Sequence, residues 1–293
     1  MKILASTGIR SEYDILFPVI SELRNRGHEI KLILSGAHLS SWHGLSLNKI
    51  QEDGFEIADM IDSLFSTNRT TQRAKGVASL ITGISQCVER EKPNLLLYVG
   101  DREEGIATAI VGNYMEVLFA HISAGDPVWG NADDPIRFAI SKLAHIHFAF
   151  AKEYADNLSN IGEENFRINQ SGNPSLDNIK NSKTISIKNL SKYLNCQLEA
   201  QKYVVLIKHP LSSEINDVSI QMNKTLSALN EFCKQFKFKV IGIYPNTDPG
   251  SFDILESIEK YKDNDNFKFY KNLPHDEFVN LMRNASALVG NSS

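Results

Sequence analysis

The chain has 293 residues, of which 42% are hydrophobic and 23% charged, the makeup of a globular protein with a sizeable core and a length that favours two domains over one. Its formal net charge of −4 gives no global pull toward nucleic acid or an anionic membrane, so neither is expected as a partner. An anionic ligand would have to be held by local groups.

Apolar runs at 2–5, 30–34, 95–99, 117–122 and 146–150 read as strands, short and continuous as parallel strands covered on both faces are. Between the first two, Ile15, Leu16, Val19, Ile20 and Leu23 recur at helical spacing before Gly27, which predicts a helix over 14–26. Val77, Leu80, Ile81, Ile84 and Val88 predict another. After Gly172 the pattern weakens through NSKTISIKNLSKYLNCQLEAQK, and the domain change is placed there, giving domains 1–171 and 172–293. The rhythm resumes with strands at 203–207, 238–243, 267–270 and 287–290, and helices near 214–236, 252–260 and 275–284. The fold class expected is α/β, with two Rossmann-like domains built on parallel sheets. The last strand runs straight into LVGNSS, a strand-to-helix turn in form, so the C-terminal domain is expected to be incomplete.

Cys87, Cys196 and Cys233 are odd in number, far apart and outside any CxxC, so buried free thiols are expected rather than a disulfide framework or a zinc site. The N-terminal MKILASTGIR is too short in its apolar run for a signal peptide, and no stretch reaches membrane-spanning length. A cytoplasmic protein is expected.

Charged and polar residues gather where these strands end. LLLYVGDREE at 95–104 places Asp101 just past a strand tip, at the edge where open α/β sheets bind ligands. STGIRSEYD at 6–14 is a strand-to-helix turn whose amides and Arg10 suit a diphosphate, although the spacing is neither GxGxxG nor GxxxxGK[ST]. The other reading makes Arg10 a solvated loop residue and Asp14 a cap. HISAGDPVWGNADDPIRFAISKLAHIHF at 121–148 carries Asp126, Asp133 and Asp134. One of the last two suits a helix N-cap, and Arg137 lies one helical turn beyond Asp133 and would pair with it. Asp101 and Asp126 end successive predicted strands, bringing two carboxylates to one crevice, a pair able to divide base and acid roles. In the second half, His209 of IKHP, the turn YPNTDPGS at 244–251 and NSS at 291–293 offer further polar groups after strands, or are ordinary turn residues.

Taken in order, STGIRSEY, GDREE, HISAGD with DDPIRFAISKLAHIHF, GNPSLDNI, KHP, YPNTDPGS and VGNSS resemble the UDP-N-acetylglucosamine 2-epimerases, most closely their hydrolysing, sialic-acid-pathway branch. The resemblance implies a GT-B-like pair of Rossmann-like domains with a UDP-sugar in the cleft between them. It implies elimination of UDP across C1 and C2 and then addition of water, releasing an N-acetylmannosamine-type sugar without NAD, metal or other cofactor. A homodimer or homotetramer is the expected assembly. By matching motifs, Asp101, Asp126, Asp133 and His209 fall at positions associated with catalysis, with Arg10 and His209 near the diphosphate. Arg10, Arg137, Asn246, Asp248, Asn291, Ser292 and Ser293 would bind substrate. The chain departs from part of the family at Ser123, where some members carry Glu, so Asp126 is the nearest acid of that turn. The alternatives are a non-hydrolysing epimerase, a GT-B glycosyltransferase and a non-catalytic UDP-sugar binding protein.

Overall fold

The apolar blocks of the first half do become parallel strands. A computed structural model describes residues 1–41, 46–65, 71–128, 132–245 and 248–291, which divide into the units Met1–Lys180 and Asn181–Ser293. The first unit runs β1 (Lys2–Thr7), α1 (Arg10–Asn25), β2 (Glu29–Ser35), α2 (Leu47–Glu52), β3 (Glu56–Ile61), α3 (Thr71–Glu91), β4 (Leu95–Val99), α4 (Glu103–Tyr114), β5 (Leu118–Ile122), α5 (Asp133–Leu143), β6 (Ile146–Ala149), α6 (Lys152–Asn160), β7 (Ile168–Gln170) and α7 (Ser175–Asn181). The sheet order is β3-β2-β1-β4-β5-β6-β7, and every pairing is parallel. The order reverses at β1 and β4, the switch point beside which open sheets of this kind hold ligands.

Alternate side chains of each central strand enter opposite cores, as the pleat requires. Leu4, Ile33, Leu96, Tyr98 and Phe119 pack with Leu80 and Ile84 of α3 and Ile140 of α5. Ile3, Ala5, Leu32, Leu34, Leu97 and Val99 pack with Leu16 and Ile20 of α1. Burying each such Leu or Ile is worth about 1.5–3 kcal/mol. The sequence reading contains neither β3 nor β7, which are the two edges of the sheet. An edge strand is not packed on every side, so EIADMI and INQ need no continuous apolar run. Helix α1 also begins at Arg10, four residues earlier than the periodicity predicts.

The second unit comprises α8 (Ile187–Tyr193), β8 (Tyr203–Ile207), α9 (Val218–Phe236), β9 (Lys239–Ile243), α10 (Ser251–Glu259), β10 (Phe267–Tyr270), α11 (His275–Asn284) and β11 (Ala287–Gly290). Its parallel sheet has the order β10-β9-β8-β11. Val204, Leu206 and Val240 pack with α9, while Val205, Ile207 and Ile241 pack with Leu190 and Leu281 on the other face. The α/β class expected from the sequence is therefore the class observed. Cys87 and Cys233 are buried free thiols and Cys196 is a partly buried one. Among the described residues no helix is long and apolar enough to cross a membrane.

Candidate active site

The carboxyl ends of β4 and β5 deliver their acids to a single guanidinium. Arg137, on the second turn of α5 and 8% exposed in its side chain, forms an ion pair with Asp101 and a second with Asp126, the latter at 3.2 Å. Nη1 of Arg137 also donates to the carbonyl (3.2 Å) and hydroxyl (2.8 Å) of Ser123. A charge so buried is far from the surface regime in which an ion pair is worth 0 to about 1 kcal/mol, because removing either partner strands the other charge out of water. The predicted surface-type pairing of Arg137 with Asp133 is replaced by this clamp.

Asp133 is taken instead by Arg73, which reaches from α3 to pair with both Glu103 and Asp133. Burial raises the Asp133 carboxyl above its ordinary range, and the Arg73 guanidinium opposes that rise. Neither consecutive acid is the expected N-cap: Ala132 holds that position without a side-chain bond, Asp133 and Asp134 are the first two residues of α5, and Asp134 accepts the Val128 amide at 2.7 Å.

The turn after β5 is held from two sides. Ser123 adopts a left-handed backbone with φ 65°, unusual for a residue with a side chain, and the Arg137 bonds compensate. Gly125 has φ 75°, and a Cβ there would lie 2.2 Å from the Tyr154 carbonyl, so only glycine lets the turn lie against α6. Asn157 donates to the Gly125 carbonyl at 3.0 Å, and the Tyr154 phenol, hydrogen-bonded to Asp126, is raised by that carboxylate's charge. His121 steadies the neighbouring turn: its Nε2 donates to the Gly100 carbonyl at 2.7 Å while Nδ1 lies 3.0 Å from Ser141 Oγ. Burial lowers this imidazole to about 3, so it is neutral.

The turn carrying Arg10 differs from the expectation for its amides. Glu12, on the first turn of α1, accepts the Gly8 amide at 2.8 Å and the Ile9 amide at 3.4 Å. Two amides just before the helix, those of Gly8 and Ile9, are therefore taken by the protein's own carboxyl, which suits a helix that begins at Arg10. The Arg10 side chain pairs with Asp14 at 3.4 Å. Glu12 also accepts the Tyr98 hydroxyl at 2.6 Å, and Glu104 packs beside it, its Oε1 accepting from Ser35 at 3.0 Å. Both carboxyls are raised, by burial first, and Glu12 reaches about 8.

In the second unit, Asn291 clasps the backbone of His209: its Oδ1 accepts the His209 amide at 2.8 Å and its Nδ2 donates to the His209 carbonyl at 3.0 Å. The Asn291 side chain thus ties the turns after β8 and β11 together. Asp248 starts the turn into α10, its carbonyl accepting from the Ser251 amide at 3.1 Å. Asn246, Ser292 and Ser293 lie outside the described residues. Among the described residues, no three or more His, Cys, Asp or Glu are grouped so as to hold a metal ion.

Sequence reasoning overlooks Arg73, Glu12, Tyr98 and Tyr154. Of these only Glu12 carries a local signal, an acid at the third residue of a helix, where it can reach back to the amides before the helix. The others meet their partners only through the fold.

A doubly wound parallel sheet, with an arginine holding two carboxylates at the carboxyl edge beside the switch point, defines an α/β protein of the class whose ligand sites lie at the strand ends. More particularly, the chain belongs to the UDP-N-acetylglucosamine 2-epimerase family, which it matches over residues 21–293. It is 29% identical over 293 residues to a UDP-N,N'-diacetylbacillosamine 2-epimerase (hydrolyzing) of Legionella pneumophila, covering all of this chain and 76% of the relative. It is 30% identical over 294 residues to a UDP-N-acetylglucosamine 2-epimerase of Neisseria meningitidis serogroup B, covering all of this chain and 75% of that protein. The fold is that of the crystal structure of the Neisseria meningitidis UDP-GlcNAc 2-epimerase bound to UDP-GlcNAc, with a TM-score of 0.80 at 20% identity over all of this chain and 78% of the other. The Methanocaldococcus jannaschii UDP-GlcNAc 2-epimerase in complex with UDP-GlcNAc and UDP gives a TM-score of 0.81 at 19% identity, over all of this chain and 79% of the other.

Proposed function

We propose that the protein is a hydrolysing 2-epimerase acting on a UDP-2-acetamido sugar and releasing UDP and the free manno-configured 2-acetamido sugar. The observation that carries this reading is the Arg137 clamp, which holds Asp101 and Asp126 at adjoining strand ends. The chemistry needs such a set. A base takes the proton from C2 as the C1–O bond breaks and UDP leaves with its electrons, giving a 2-acetamidoglucal. Water then adds across the double bond, its oxygen to C1, and a proton returns to the opposite face of C2. We assign the proton transfers to Asp101, Asp126 and Asp133, with His209 assisting departure of the diphosphate. Arg10 pairs with the diphosphate, and Arg137 orients the acids and through them the sugar. Asn246, Asp248, Asn291, Ser292 and Ser293 serve the nucleotide. The hydrolytic outcome is supported by the names of two relatives at 29% and 28% identity.

The test is an NMR time course in deuterium oxide with UDP-N-acetylglucosamine and, separately, its 4-acetamido-4,6-dideoxy analogue. Free UDP and a free manno-configured sugar carrying deuterium at C2 are expected. A UDP-linked C2 epimer without free sugar would identify the non-hydrolysing reaction, and neither product would overturn the reading.

A further inference from the structure

Between the turn that carries Arg10 and the turn that carries Asp101 lies a buried chain of hydrogen bonds. The Tyr98 hydroxyl, at the end of a side chain with no exposed surface, donates to Glu12 at 2.6 Å and accepts the Arg102 amide at 3.2 Å. Glu12 in turn accepts the amides of Gly8 and Ile9. One phenol therefore touches the residue following Asp101 on one side and, through one carboxyl, the two residues preceding Arg10 on the other. The packing is built to admit it. A Cβ on Gly105 would fall 2.2 Å from the Tyr98 ring, and one on Gly8 would fall 2.0 Å from the Glu104 carboxyl, so both glycines let α4 close over the pair.

We propose that Glu12 and Tyr98 form a strut that sets the separation of Arg10 from Asp101, and that both are positioning residues for the reaction. This rests on the reading of Arg10 as a diphosphate ligand and Asp101 as a catalytic acid or base. Neither strut residue touches substrate. Their effect comes through the two turns, since displacing a reacting group by about 1 Å can cost on the order of 100-fold in rate. Burial and the nearby Glu12 and Glu104 carboxyls raise the Tyr98 phenol well above its ordinary range, so it keeps its proton and remains a donor.

The experiment compares Tyr98→Phe, Glu12→Ala and the double variant in the full chain, measuring kcat, KM and UDP affinity, with thermal melts to establish folding. Each single change is expected to lower kcat roughly 10- to 100-fold with UDP affinity altered less than about threefold, and the double variant should be no worse than the poorer single one, because both remove one linkage. Folded Tyr98→Phe and Glu12→Ala with wild-type kcat and KM, alongside impaired Arg10→Ala and Asp101→Asn, would overturn the strut alone. Independent, multiplying losses in the double variant would also overturn it. Unimpaired Arg10→Ala and Asp101→Asn would instead mark failure of the functional reading on which it rests.

Discussion

Arg137 and Asp101, 36 residues apart in sequence, form an ion pair in which both side chains are largely removed from water. Asp126 meets the same guanidinium at 3.2 Å. Replacing Arg137 by Ala leaves two carboxylates facing one another across a space that has lost its cation. We expect a stability loss of about 3–5 kcal/mol in urea titration, the cost of breaking a buried pair. Arg137→Lys should recover only part of it, since an ammonium cannot serve Asp101, Asp126 and Ser123 from two fixed nitrogens. A Lys variant with the wild-type midpoint would show that the fork geometry does not matter.

Asp101→Asn keeps the size of the side chain and removes its charge. If Asp101 moves a proton in the reaction, turnover should fall by about 10²–10⁴-fold, with UDP affinity nearly unchanged. Deuterium incorporation at C2 and the rate of UDP release, measured together, check this. Wild-type turnover with unaltered incorporation would shift the proton chemistry to Asp126 or Asp133.

Two sets of buried groups give stability opposite slopes with pH. Burial raises Glu12 to about 8 and raises Glu104 as well; facing them are Tyr98, Arg102 and Glu103, with His38 close by on Thr7. The folded protein therefore holds more protons on this pair than the unfolded chain does above the ordinary carboxyl range. Their contribution is full below the ordinary carboxyl range and declines as pH rises above it, for Glu12 through about 8. His121 and His38 are lowered by burial to about 3 and about 4. The unfolded chain takes up protons at these sites first, so their contribution is full above pH about 6.5 and is lost as pH falls toward the folded values. Urea midpoints should decline from pH 6.5 to 8, and Glu104→Gln should flatten that limb. An unchanged slope in the variant would remove the carboxyl pair as its cause.

Asn291→Ala removes both bonds to the His209 backbone. A loss of no more than about 0.5–1.5 kcal/mol is expected, because both bonds are exposed and water can take the place of Asn291. Amide hydrogen exchange at His209 should rise with it. Unaltered exchange would mean that the turn after β8 holds itself without Asn291.

Much of this molecule was legible in its sequence because central parallel strands are covered on both faces and must be apolar throughout. Thus 95–99 and 203–207 announced β4 and β8 without reference to anything distant. The position of Asp101 was legible too, since a strand that ends on Gly100 delivers its next residue to the carboxyl edge. Edge strands β3 and β7 escaped because nothing obliges an edge to be apolar. The partner of each charge was likewise beyond local reading: Arg73 meets Asp133 across 60 residues and Tyr98 meets Glu12 across 86. Periodicity records which side of an element faces the core, whereas pairing between buried polar groups depends on which turns the sheet order places side by side. That order put β4 between β1 and β5, and so made Asp101 the neighbour of both the Arg10 turn and the Asp126 turn.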